Sequence, residues 1–334
     1  MSEYEEMTPQ EQITHLEEFA HDVLLQYGIS AKSLLCINHS FNTTFKLTTA
    51  HDKTYAMRIN TSSKKWPEHV WAEIQWMQKI ANEGEVQVPV PVPNLQGEFF
   101  SNHYFFYDGG NLNIVLTNWI EGEVIKETPT ENQLFELGKS MALLHQSGKT
   151  WVAQGYANFK EIDMPLMAER DNLFAEVDQQ ISAELYELLC DVNLEAVKVL
   201  ESLRERSAPQ LIHADLYFGN VIAHKDTISI LDFDDAGMGF PLQDLANAIF
   251  YLRADFVKEE DLIAGYISVA PLPEYQSFEL EALIASQALT KLSSRFANST
   301  AENKTSLPDY LEAIEGQLHN YRQTGRFSGR AKGM

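Results

Sequence analysis

The residue types around Asp215 suit the transfer of a phosphoryl group. His213, Asp215 and Asn220 stand in the order H-x-D-L-x-x-x-N, and Asp232 follows an apolar stretch further along the chain. In this pattern the first Asp accepts the proton of a hydroxyl group, while the Asn and the later Asp hold magnesium. Phosphoryl transfer needs little covalent help from the protein, so one base and two oxygen ligands suffice. We therefore predict that Asp215 is the base and that Asn220 and Asp232 bind magnesium.

A β-hairpin is predicted between the two parts of this pattern. Residues 220–224 and 227–231 have the composition of two short strands, and the two polar residues between them suit a turn. Pairing of these strands would bring Asp232 back to Asn220. The hairpin therefore explains why ligands that are distant in the sequence can serve one metal ion.

The alternative is that Asp215 and Asp232 are ordinary turn acids, because Asp is common in turns and at strand ends. The Asn at a fixed offset from Asp215, together with a second Asp after an apolar strand, favours catalysis over coincidence. His213 is predicted to shape the loop through hydrogen bonds and not to act as an acid or base.

Over nearly its whole length the chain resembles the aminoglycoside phosphotransferase and choline kinase superfamily, close to the type II homoserine kinase-like and bacterial small-molecule kinase branches. The catalytic-loop residues and the segments 39–47 and 55–59 carry this resemblance. It implies an α+β, bilobal protein-kinase-like fold, with an N-terminal antiparallel sheet plus helix and a larger, mainly helical C-terminal lobe. The implied regions are a nucleotide-binding lobe at 1–117, a hinge at 118–122 and a catalytic and acceptor-binding lobe at 123–334.

The resemblance also assigns nucleotide-binding residues in the N-terminal lobe. Asn42 and Thr43 lie in a segment that resembles the phosphate-covering strand-turn-strand, although the G-x-G-x-x-G of protein kinases is absent. Arg58 corresponds to the strand cation that contacts phosphate. Glu73 corresponds to the acid that pairs with this cation, on a helix with apolar residues three and four apart. The alternatives are an exposed strand cation and a solvated helix acid.

The segment Leu116–Gly122 resembles the hinge of the superfamily. By this correspondence, the backbone carbonyl of Asn118 and the backbone N–H of Ile120 bind adenine. Both contacts use the main chain, so they place little demand on the side chains.

Helices are predicted for most of the C-terminal half. Thr130, followed three residues later by Gln133, forms a capping box that opens one helix. Apolar residues at helical spacing over residues 171–205 predict two helices with a break near residues 191–193. Two more helices are predicted near residues 279–295 and 309–321.

A further helix is predicted to begin at Pro241, because Pro is favoured in the first turn of a helix. Asp244, in this first turn, resembles the buried acid that braces the catalytic loop in the superfamily. The alternative is an ordinary first-turn acid that the helix dipole favours.

The acidic composition limits the possible partners. The 334 residues include 48 Asp and Glu against 25 Lys and Arg, for a net charge of -23. A phosphate backbone is bound by clusters of Lys and Arg, so we expect no nucleic-acid partner. The charge is compatible with a cationic acceptor near Asp234 and Asp235, and equally with acidity that serves only solubility.

We expect no membrane partner and a cytoplasmic location. No apolar run approaches the ~20 residues that a membrane helix needs. Cys36 and Cys190 are isolated, and the acidic N-terminal residues do not match a leader peptide.

These features predict a kinase that uses ATP and Mg²⁺ to phosphorylate a hydroxyl group of a small metabolite. The expected acceptor is an amino alcohol or a hydroxy amino acid, similar to homoserine, choline or an aminoglycoside. Two alternatives stay open, namely a Ser/Thr protein kinase of the same superfamily and a catalytically silent nucleotide-binding regulatory protein. We expect a monomer or a homodimer.

Overall fold

A computed structural model describes residues 3–61, 66–125, 128–162, 181–254, 257–297 and 301–328. The chain forms two compact units. The first consists of Met1–Glu121 with Val152–Phe159, and the second of Gly122–Trp151 with Lys160–Met334. No sequence pattern indicated that Val152–Phe159 returns to the first unit. The boundaries at residues 117 and 122 stay predictions.

The first unit is built on a five-stranded antiparallel sheet with the strand order β1-β2-β3-β5-β4. Its elements are α1 (Glu3–Glu6), α2 (Pro9–Leu24), β1 (Ala31–His39), β2 (Thr43–Thr49), β3 (Thr54–Ile59), α3 (Pro67–Glu83), β4 (Ser101–Phe105) and β5 (Gly110–Asn118). The antiparallel sheet and its helix, predicted for the N-terminal region, are therefore confirmed.

Helix α2 packs against this sheet. Its first turn is fixed by a capping box between Thr8 and Glu11, with Pro9 in a position where its missing N–H costs nothing. Apolar residues of α2 and of the strands form one hydrophobic core; its buried members include Leu16, Ala20, Val23, Phe45, Leu47, Met57, Ile59, Ile114 and Leu116.

Helix α3 has the predicted apolar stripe. Val70, Ile74, Met77 and Ile80 are all buried, and Glu73 is buried among them. A carboxylate is costly to bury without a partner, so this position of Glu73 requires a cation nearby.

The second unit is mainly helical. Its elements are β6 (Glu123–Val124), α4 (Glu131–Lys149), α5 (Ala183–Arg206), β7 (Gln210–Ile212), β8 (Val221–His224), β9 (Thr227–Ile230), β10 (Gly237–Gly239), α6 (Pro241–Ala254), α7 (Glu260–Ile267), α8 (Ser277–Ala297) and α9 (Ala301–Thr324). The strands form two small antiparallel sheets, ordered β10-β7 and β6-β8-β9. The predicted α+β class is confirmed. Among the described helices, none is long and apolar enough to cross a membrane.

The capping box of Thr130 and Gln133 and the helix that begins at Pro241 are confirmed. The predicted helix break near residues 191–193 is wrong, because α5 runs without interruption through them. A continuous stripe of buried residues outweighs the weak helix propensity of Asp and Asn there; it comprises Leu185, Leu189, Val192, Ala196, Val199, Leu200 and Leu203. Residues 171–180 of the predicted helical segment lie outside the described residues.

Helices α4 and α7 approach each other so closely that their backbones touch. A Cβ atom on Gly138 would lie 1.9 Å from the carbonyl oxygen of Leu262, and one on Gly265 would lie 1.9 Å from that of Phe135. Real Cβ atoms do not approach so near, so both positions require glycine. The two glycines thus set the spacing of α4 and α7.

Candidate active site

The predicted catalytic loop follows strand β7 and is anchored by a buried acid at the start of α6. The side chain of Asp244 is fully buried and accepts hydrogen bonds from two backbone N–H groups, those of His213 at 3.0 Å and Ala214 at 2.7 Å. Ala214 has a φ of 67°, a left-handed conformation that is strained for Ala. The two bonds from Asp244 hold this conformation, so the loop-bracing role predicted for Asp244 matches the structure.

A chain of side chains connects this acid to α4 and α7. His145 Nε2 lies 3.1 Å from Asp244 Oδ2, and His145 Nδ1 lies 2.9 Å from the hydroxyl oxygen of Tyr266. Since a carboxylate can only accept, His145 Nε2 donates to Asp244, and Nδ1 shares the hydrogen bond with the tyrosine hydroxyl. Burial, and then the nearby Asp244 carboxylate, raise the pKa of Tyr266, so its hydroxyl stays protonated.

The side chain of Asp215 is held by Asn220. The amide nitrogen of Asn220 donates to the backbone carbonyl of Asp215 at 2.8 Å and to Asp215 Oδ2 at 3.0 Å. Because this nitrogen is committed to Asp215, the amide oxygen of Asn220 is the atom that can face a metal ion. His213 is fully buried and bonds to the backbone of Leu231 and Asp215, in agreement with a structural role.

The predicted hairpin is confirmed and brings Asp232 next to Asn220. Strands β8 and β9 pair in antiparallel fashion, and the N–H of Leu231 donates to the carbonyl of Asn220 at 2.9 Å. Asp232 then turns the chain with a φ of 62°. One amide oxygen and one carboxylate form a donor set that fits magnesium, which takes few protein ligands and prefers oxygen.

Sequence reasoning missed a lysine beside the base. Lys291 Nζ, from helix α8, lies 3.5 Å from Asp215 Oδ1, with both side chains 24% exposed. The same ammonium lies 4.7 Å from the centre of the Tyr251 ring and 5.8 Å from that of Tyr217. Seventy-six residues separate Asp215 from Lys291, so no local motif joins them. The sequence did offer one clue to its role, because Lys291 is the first charged residue after nine uncharged residues in α8.

The two tyrosines form a platform below this lysine. Their rings stack with centres 3.7 Å apart and planes 11° from parallel. Tyr217 lies so close to the loop backbone that a Cβ on Gly219 would come within 2.3 Å of its ring. Burial, and then Tyr251, raise the pKa of Tyr217, so its ring stays neutral and offers a π face to the ammonium.

A second lysine neutralises one of the acids considered for a cationic acceptor. Lys160 Nζ lies 3.5 Å from Asp235 Oδ1, and the side chains are 17% and 18% exposed. The negative charge of Asp235 is therefore already balanced within the second unit.

In the first unit, the predicted pair of Arg58 and Glu73 is present. The guanidinium donates two parallel hydrogen bonds to the carboxylate, at 2.7 Å and 2.6 Å. The side chains are 16% and 4% exposed, so an exposed strand cation and a solvated helix acid are both ruled out. A bidentate pair of this kind fixes the plane of the guanidinium.

Asn42 and Thr43 turn their side chains into the first unit. Asn42 Oδ1 accepts from the amide of Asn60 at 2.8 Å, and the Thr43 hydroxyl lies 2.8 Å from Nδ1 of His39. Thr43 is fully buried, and burial also lowers the pKa of His39. These side chains hold the β1–β2 turn together; their predicted role with phosphate stays a prediction.

Asn118 ends strand β5 with an unusual exchange of acceptors. Its N–H donates to the carbonyl of Val90 at 3.0 Å, while the N–H of Val90 donates to the Asn118 side-chain oxygen. The side chain thus takes the bond that the backbone carbonyl would accept in a regular ladder. The adenine contacts predicted for the Asn118 carbonyl and the Ile120 N–H stay predictions.

Three features of this chain are those of a kinase-type phosphotransferase. They are a braced loop that contains an Asp, a hairpin that returns a second Asp to this loop, and an antiparallel sheet with a buried Arg–Glu pair. The model of the phosphotransferase enzyme family matches residues 38–277, well over half of the chain. The chain belongs to this family, and phosphoryl transfer is its class of activity.

Similar proteins include several kinases of small molecules. The amicoumacin kinase of Bacillus subtilis (strain 168) is 22% identical over 245 residues, which cover 71% of this chain and 68% of that protein. The structure of a microcompartment-associated aminopropanol kinase aligns with a TM-score of 0.76 at 21% identity, over 93% of this chain and 99% of that one. An amicoumacin kinase in complex with AMP-PNP, Ca²⁺ and Ami aligns with a TM-score of 0.73 at 16% identity, over 94% and 99%.

Proposed function

We propose that this phosphotransferase is a kinase that moves the γ-phosphoryl group of ATP to a hydroxyl group of a small amine-bearing metabolite, either an amino alcohol or a hydroxy amino acid. The observation that carries the proposal is the fixed position of Asp215, which Asn220 holds through both the backbone and the side chain. A base must be held in one place to accept a proton in the transition state.

In this proposal Asp215 accepts the proton of the acceptor hydroxyl while the hydroxyl oxygen bonds to the γ-phosphorus of ATP. The bond from the γ-phosphorus to the bridging oxygen of the β-phosphate breaks, and ADP leaves. Asn220 and Asp232 would hold magnesium, which neutralises charge on the phosphate oxygens. Arg58 contacts phosphate, and Glu73 fixes the direction of the guanidinium. The Asn118 carbonyl and the Ile120 N–H bind adenine through the main chain, and the turn with Asn42 and Thr43 lies over the phosphates.

Lys291 completes the placement of the base in this proposal. Asn220 contacts Oδ2 of Asp215 and Lys291 lies near Oδ1, so the carboxylate is held from both sides. The stacked tyrosines support the ammonium on an aromatic face, which attracts a cation. Lys291 is therefore a positioning residue that acts through Asp215.

Replacing Lys291 by Met should lower kcat by about 10- to 100-fold, the loss expected for one charge-assisted contact, with little change in either KM. The decisive measurement is a double-mutant cycle. In an Asp215→Asn background the Lys291→Met change should cost no further activity, because a residue that acts only through the base has nothing left to position.

Lys198→Met is the matched control, since Lys198 is an exposed cation on α5 with no recorded ion pair in the described chain. It should leave kcat unchanged. If Lys291→Met lowered kcat by the same factor in the unchanged protein and in the Asp215→Asn variant, the lysine would act elsewhere. A lower unfolding midpoint of the Lys291→Met variant would show a structural role.

The amine-bearing acceptor is supported by the similar proteins, because an aminopropanol kinase acts on an amino alcohol by its name. A panel of acceptors tests the proposal, with ADP release measured at fixed MgATP. The panel contains 1-amino-2-propanol, ethanolamine, choline, homoserine, an aminoglycoside set and a generic protein substrate.

We expect ADP release with at least one of the small amines, and release about 10²- to 10⁴-fold slower in the Asp215→Asn variant. Release with the protein substrate alone would instead favour a Ser/Thr protein kinase. ATP binding without turnover on any acceptor would favour a silent regulatory protein.

A further inference from the structure

The first unit contains a cavity that shares no residue with the catalytic loop. Its volume is about 560 Å³, within the range of small-molecule sites. Its walls come from helix α3, the segment before β4, strand β4 and the returning segment Val152–Phe159. The residues that carry the argument are Trp71, Glu98, Phe99, His103 and Tyr156.

Aromatic rings line one side of this cavity. The ring of Trp71 has its centre 6.4 Å from that of Phe99 and 6.4 Å from that of Tyr156, with the planes 25° and 30° from parallel. Tyr156 is 57% exposed, so the aromatic wall is open to solvent. The faces of such rings are electrostatically negative and attract cations, most strongly at tryptophan.

Two carboxylates add negative charge beside these rings. Glu98 lines the cavity, and Glu68 belongs to the first turn of α3. Burial is the largest cause of the raised pKa of the Tyr156 hydroxyl, and the charges of Glu68 and Glu98 raise this pKa further. Both carboxylates therefore act electrostatically on Tyr156. Oε2 of Glu68 is buried and has no hydrogen-bond partner among the described residues.

The described lining of the cavity offers no lysine or arginine to balance these acids. His103 contributes a buried Nε2 atom without a partner in the described part of the chain, and burial lowers the pKa of this histidine against the effect of Glu98. A neutral imidazole adds no positive charge to the cavity.

We propose that this cavity binds a small organic ammonium ion. The cation lies against the faces of Trp71 and Tyr156, and Glu98 and Glu68 balance its charge. The site is built entirely from the first unit, so its occupancy is separate from acceptor binding at Asp215 and does not depend on the proposed function.

Calorimetric titration of the nucleotide-free protein tests the site without turnover. The probe is choline, and its comparison is 3,3-dimethylbutan-1-ol, the uncharged molecule of the same shape. We expect choline to bind and the neutral alcohol to bind at least about tenfold more weakly, because only the cation gains from the rings and the carboxylates.

Two variants locate the binding. Tyr156→Leu and Glu98→Gln should each weaken choline binding at least about threefold. Tyr104→Leu is the matched control, because Tyr104 is an exposed tyrosine on β4 outside the cavity and should have no effect.

Equal binding of choline and the neutral alcohol would overturn the proposal. So would choline binding that neither Tyr156→Leu nor Glu98→Gln weakens, which is the result expected if choline occupies only the acceptor site. Absence of choline binding would overturn it as well. Unfolding midpoints of the variants, measured alongside, confirm that each protein is folded.

Discussion

Replacing Asp215 by Asn should lower kcat by about 10²- to 10⁴-fold while the affinity for ATP stays close to that of the unchanged protein. An amide of the same shape can still accept the hydrogen bond from Asn220 but cannot take a proton. The loop should therefore keep its structure and lose only its base. The contacts described for Asp215 are those with Asn220 and Lys291. The substitution changes none of the residues proposed to bind adenine or phosphate, so ATP binding should persist.

Steady-state kinetics and a separate ATP-binding titration check this result. Asp226→Asn is the matched control, because Asp226 lies exposed in the turn of the neighbouring hairpin and has no proposed role. It should be fully active. The assignment of Asp215 as the base would be contradicted if the Asp215→Asn variant lost affinity for ATP but turned over normally once ATP was bound.

Replacing Asp244 by Ala should reduce the free energy of unfolding by about 3–5 kcal/mol, in the range for breaking a buried charged network. The change leaves the N–H groups of His213 and Ala214 and the Nε2 of His145 without their acceptor. Each buried donor without a partner is costly. Ala214 also loses the bonds that hold its left-handed backbone, so kcat should fall even in the molecules that remain folded.

Denaturant unfolding measures the stability, and kcat is measured well below the unfolding midpoint. Glu131→Ala is the control for the alternative that Asp244 is only a first-turn acid, since Glu131 is an exposed acid in the first turn of α4. A dipole contribution alone is worth about 0.3–1 kcal/mol. A loss of that size at Asp244 would mean that the bracing bonds contribute little.

The features predicted correctly are those in which neighbouring residues determine the structure. The hairpin around residues 225–226, the capping box at Thr130 and the apolar stripe of α3 each depend on side chains a few positions apart. The pair of Arg58 and Glu73 was predicted from the resemblance, and its two hydrogen bonds confirm the pairing but not its role with nucleotide.

The features that were missed depend on tertiary packing. Lys291 reaches Asp215 because helix α8 lies beside the catalytic loop. This tertiary proximity cannot be predicted from the residues near either position. The break predicted in α5 failed because burial of a continuous stripe outweighs local propensity. At the β1–β2 turn, the sequence shows that Asn42 and Thr43 are polar but does not show that their side chains point into the first unit. That orientation follows from the register of the strands.

The contact of Gly138 with α7 makes the position of the catalytic loop depend on the packing of two helices outside it. His145 belongs to α4 and its tyrosine partner Tyr266 to α7, next to Gly265, and the same histidine bonds Asp244. Any side chain added at either glycine must force the two helices apart and stretch the bond between His145 and Tyr266. Replacement of Gly138 or Gly265 is therefore expected to disturb the catalytic loop, although neither glycine belongs to it.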